Sequence, residues 1–67
     1  MNAEIIQARK RFLDLYELQC SYLAGKPQRF VEDLLHEAEE LRHDPSFSIV
    51  ASAEINRAAC LKTLGKF

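Results

Sequence analysis

The side chains best suited to hold a metal in this chain are Glu32, His36, Glu40 and His43. At helical spacing all four fall on one face, and Glu40-x-x-His43 has the separation used in carboxylate-bridged diiron bundles. Those centres project into a bundle core and draw ligands from several helices. Here the four residues lie opposite an apolar stripe, and Glu32–His36 and Glu39–His43 are ordinary i, i+4 pairs of a solvated face. The expectation is no metal site and no cofactor.

Nucleophilic chemistry has as little to work with. Cys20 and Cys60 each stand five residues before a glycine that ends a helix, so an up-down-up bundle would place them in one layer. A disulfide is geometrically open to them, but in a reducing compartment two such thiols pack as small hydrophobes. Neither has a histidine or helix N-terminus nearby to lower its pKa. Ser21, Ser46, Ser48 and Ser52 have no neighbouring sequence that suggests a base. The expectation is a protein that is not an enzyme.

Two charge patterns remain. The triplet Arg9-Lys10-Arg11 invites a nucleic-acid reading, with Lys26 and Arg29 joining it if a dimer clustered them. Successive helical residues point 100° apart, however, so the triplet fans round its helix instead of lining a groove. The second helix is acidic, and a duplex would repel it. A small nucleic-acid-binding regulator is therefore the alternative and not the leading reading. Arg9 and Glu54 each interrupt an apolar stripe, where a charge needs a partner or an edge. Aligning the first and third helices from their terminal glycines brings the two within about one turn, so they are expected to form a register-setting ion pair.

Ser52-Ala53-Glu54-Ile55-Asn56 resembles the Ser-Gln-Glu-Leu-Asp motif of the small sporulation aspartyl-phosphate phosphatases. Ala53 and Asn56 stand where that motif has Gln and Asp, so its defining acid is missing and no function is carried over.

The elements that must position these residues are marked by punctuation. Gly25-Lys26-Pro27 reads as a left-handed helix stop followed by a restart. Asp44-Pro45 reads as an N-cap and first helical position, and Gly65 as a final cap. Helices are expected at about Asn2 to Ala24, Pro27 to Arg42 and Pro45 to Leu64, joined by short turns. The 67 residues then make one all-α domain, an up-down-up three-helix bundle. With no signal-peptide pattern at Met1-Asn2-Ala3-Glu4 and no membrane-length apolar run, a cytoplasmic protein is expected. A net charge of −1 gives no general attraction to anionic surfaces.

The three helices differ in how much grease they carry. Helix 2 has one stripe (Phe30, Val31, Leu34, Leu35, Ala38, Leu41), and between Arg29 and Asp44 it sets two arginines against six carboxylates. Helix 1 carries Ile5, Phe12, Leu13, Tyr16, Cys20 and Leu23 on one stripe and Ala8, Leu15, Leu18 and Tyr22 on another. Together they span roughly 240°, against the ~100° of an ordinary surface helix. Helix 3 is similar, with Phe47, Val50, Ala51, Ala58 and Leu61 beside Ile49, Ala53, Cys60, Leu64 and Phe67. A chain this short has trouble stabilising itself alone, and surplus apolar surface marks an interface. The expectation is a protein-interaction module (regulator, adaptor or inhibitor) or a helical homodimer. Its partner-binding surface would comprise Leu15, Leu18 and Tyr22 with Ile49, Ala53, Leu64 and Phe67.

Overall fold

Local hydrogen bonds set the ends of each helix. The computed structural model describes residues 2–67, in which the elements are α1 (Ala3–Ala24), α2 (Gln28–Leu41) and α3 (Phe47–Thr63), with no strand among the described residues. Asn2 opens α1: its side-chain oxygen accepts the Ile5 amide at 2.9 Å, satisfying one of the orphan donors of the first turn. Pro27 precedes α2, and its carbonyl accepts the first helical amides from Phe30 and Val31.

Two boundaries differ from the sequence expectation. Asp44 does not cap α3. Its carboxylate accepts the Ser46 amide at 2.8 Å, closing a turn around Pro45, and the helix starts after Ser46. Gly25 is not left-handed: its φ of −96° is open to any residue. Gly65 is the left-handed position, at φ +70°. There the Gly65 amide bonds the Lys62 carbonyl at 3.0 Å and the Lys66 amide bonds the Leu61 carbonyl at 2.8 Å, the paired bonds of a Schellman stop.

The antiparallel pair α2–α3 is the better-fastened half of the molecule. Arg42 Nε donates to Glu54 Oε1 at 2.6 Å, and Arg57 Nε lies 4.0 Å from Glu39. Three residues back along α2 match three residues forward along α3, so both contacts report one register. Ala38 and Ala53 are buried along the same seam. α1 packs on α3 as well, but α1 and α2 meet scarcely beyond the turn that joins them.

α3 is thus the middle helix of a spread arrangement. The Cα atoms extend 40 × 26 × 17 Å. The middle place accounts for the apolar girth of α3, because a helix covered from two sides must be greasy on two sides. Of the expected partner-surface residues, Ala53 is 2% exposed on the α2–α3 seam and Leu64 packs against the core.

The core gathers where α1 ends and α2 begins. Leu23, Val31, Ala59 and Cys60 are buried there, with Tyr16, Cys20, Leu34, Leu35 and Leu64 packed round them. Leu23, Val31 and Cys60 are the largest fully buried side chains, a small apolar volume for three helices.

Gly65→Ala is expected to cost about 1 kcal/mol, because a Cβ at φ +70° is strained although the space around it is open. Gly25→Ala is expected to be neutral or to stabilise by about 0.5 kcal/mol, through the unfolded chain. Paired thermal melts of the two variants check the contrast; equal losses would remove the left-handed stop from the account.

Candidate interaction surface

α1 is where the apolar surplus remains. Every residue from Asn2 to Leu15 is exposed, although Ile5, Ile6, Phe12, Leu13 and Leu15 all lie in that stretch. Ile5, Phe12 and Leu13 belong to the stripe that continues into buried Leu23, so the sequence places them in a core. The structure leaves them 41–56% exposed, because the first half of the helix is only partly covered. Further along, Leu18 is 68% and Tyr22 50% exposed.

A second apolar strip follows the edge of α2. The Tyr22 and Phe30 rings meet edge to face with centroids 6.2 Å apart. Phe30 and Leu34 line one shallow hollow with Asp33 and Glu37. Leu34 continues into an open groove of about 320 Å³ between α2 and α3, walled by Leu41, Ile49 and Ala53 and rimmed by Glu37. The strip therefore joins two of the sequence-nominated residues, Tyr22 and Ile49, through Phe30, Leu34 and Leu41. Those three had been assigned to the core stripe of α2. A single apolar stripe in sequence does not reveal that its edge faces an open cleft.

Leu15 and Leu18 are exposed on α1, one helical turn and more before Tyr22. Phe67 is 79% exposed beyond the end of α3. Phe47, at the other end of α3, is also open and was not nominated.

The charges are distributed differently from the sequence expectation. Glu54, expected to pair with Arg9, receives Arg42, which the antiparallel α2–α3 hairpin brings across the seam. Arg29 lies 3.8 Å from Asp33, and the Lys26 ammonium sits 4.6 Å from the Tyr22 ring centroid and 5.3 Å from that of Phe30. Both cations proposed to extend a nucleic-acid patch are thus engaged on their own chain. His36 Nε2 lies 3.1 Å from Glu40 Oε1 on the solvated face of α2. Among the described residues no cluster of three or more His, Cys, Asp or Glu side chains is arranged to hold a metal ion. No described helix is long and apolar enough to cross a membrane.

Cys20 and Cys60 are free thiols. Burial raises the Cys60 pKa, with the charge of Cys20 second. Desolvation also raises Tyr16, followed by its hydrogen bond to Cys20 and that thiol's charge. These groups are held neutral, the reverse of an activated nucleophile.

Comparison with known protein families, with curated proteins and with solved structures gives no match.

The raised thiol makes a pH prediction. Between the ordinary value of 9.0 and its higher folded value, Cys60 keeps a proton that the unfolded chain releases. Stability should therefore fall as pH rises through that window and be insensitive to this group below it. Cys60→Ala should flatten the decline in melting temperature above pH 9; an unchanged slope would show that the thiol is not desolvated.

Proposed function

We propose that this protein is a small non-enzymatic interaction module. It acts by laying apolar helix faces on another protein, as a regulator, adaptor or inhibitor of a larger partner or as one half of a homodimer, in the cytoplasm. The observation that carries this reading is the bare first half of α1, continued by Leu18 and Tyr22. About three turns of exposed Phe, Leu and Ile on a helix are held in water only at a free-energy cost that covering them would relieve.

Occlusion or bridging is the mechanism such a surface supports. Aromatic and aliphatic anchors such as Tyr22, Phe30 and Phe67 fill pockets on the partner. The carboxylates of α2 lie beside them, where they steer approach and penalise acidic competitors.

The double substitution Leu18→Glu with Tyr22→Glu tests the reading. Leu18 contributes nothing to the monomer core, so helix content by circular dichroism should be unchanged. The wild type should be heavier than 7.7 kDa by light scattering, or cross-link to another protein through a photoreactive residue at position 18 in the source-cell lysate. The double variant should lose either behaviour. A wild type that stays monomeric and cross-links to nothing would sink the proposal.

A further inference from the structure

The chain exposes 5112 Å². A folded monomer of its mass, 7.7 kDa, is expected to expose about 4,300 Å². The surplus, about 800 Å², equals what one partner contributes to a standard-size interface. The surface left open is divided into two parts with matching properties. One is the helix segment Ala3–Leu15, which exposes Ile5, Ile6, Phe12 and Leu13 and carries Arg9, Lys10 and Arg11 along with Glu4 and Asp14. The other is the α2–α3 groove, apolar along Leu34, Leu41 and Ile49 and edged by Glu37, Ser52 and Asn56, with the hollow that holds Asp33 adjoining it on α2.

We infer that the occupant of the groove is the first half of α1 from a second copy of this chain, and that the exchange is reciprocal. This rests on the interaction-module reading above and names its partner. Three features support it. The lengths agree: Ala3–Leu15 spans about 20 Å, and the α2 edge from Phe30 to Leu41 about 17 Å. The charges agree, since the segment sets Arg9, Lys10 and Arg11 against Glu4 and Asp14 and the rim carries Glu37, with Asp33 shared with Arg29 beside it, while a net charge of −1 does not oppose self-association. The symmetry agrees as well. Each copy owns one segment and one groove, so a two-fold axis satisfies both at once and leaves neither repeated along an open chain. The inserted helix completes a closed triangle with α2 and α3, burying Ile5 or Phe12 in place of solvent.

The test is light scattering of the full-length chain from low to high micromolar concentration, with two charge variants. Lys10→Glu with Arg11→Glu reverses the segment, and Asp33→Arg with Glu37→Arg reverses the rim. Neither set touches the buried core, and circular dichroism should confirm that both variants remain helical. Each variant alone should raise the dimer dissociation constant at least tenfold. An equimolar mixture should regain dimer, because both contacts of the mixed pair are again between opposite charges. Phe12→Asp should abolish dimer in either background. A wild type that is monomeric throughout overturns this inference but leaves the module reading to a different partner. A dimer that is indifferent to the charge variants, yet dissociated by Leu18→Glu with Tyr22→Glu, overturns the exchange and keeps self-association through the other face.

Discussion

Both outer helices lean on α3 and hardly on each other, and the rest of the structure follows from that constraint. A helix with neighbours on two flanks must be apolar on two flanks, and small residues such as Ala53, Ala59 and Cys60 let those neighbours approach closely. Small residues also bring little apolar area with them. The seams are therefore tight and the core thin, and stability is concentrated where Leu23, Val31, Ala59 and Cys60 come together. In a closed bundle the third contact, between α1 and α2, would have covered Phe30 and the front of α1. Its absence turns one stripe on each of these helices from core into surface.

Much of this architecture is legible in the sequence, residue by residue. Gly65 marks a left-handed stop because few other residues accept that backbone, and Asn2 marks a start because its side chain mimics a missing acceptor. Periodicity delivers three helices, and the single stripe of α2 identifies the side that buries Val31 and Ala38. What periodicity lacks is the identity of the neighbour. Ala53 and Leu64 belong to an apolar arc of α3 that could equally meet its own chain or a partner, and the middle placement of α3 sets Ala53 on the α2–α3 seam and Leu64 against the core. Phe30 and Ile5 err in the opposite direction, since a stripe of the right spacing says nothing about whether a helix arrives to cover it.

Electrostatics repeats the lesson at shorter range. Glu54 sits in an apolar stripe and needs a cation, which the sequence makes plain. Which cation it receives depends on helix order across the molecule, and the α2–α3 hairpin brings Arg42 Nε to 2.6 Å from its carboxylate. Such part-exposed pairs add on the order of 0–1 kcal/mol each, so they select a register more than they hold the chain together. Lys26 shows a related economy: its ammonium lies against two aromatic rings while its stem covers part of the strip they form.

The uneven grip on α1 has a dynamic consequence. Tyr16, Cys20 and Leu23 anchor only its later turns, so the helix is pinned like a lever at one end. Lifting its earlier turns breaks backbone bonds inside the helix and leaves in place the buried cluster at Leu23 and the α2–α3 hairpin. Amide protection should therefore climb in a gradient from Glu4 toward Leu23, with the slowest exchange in the last turns of α1 and the seam of the hairpin.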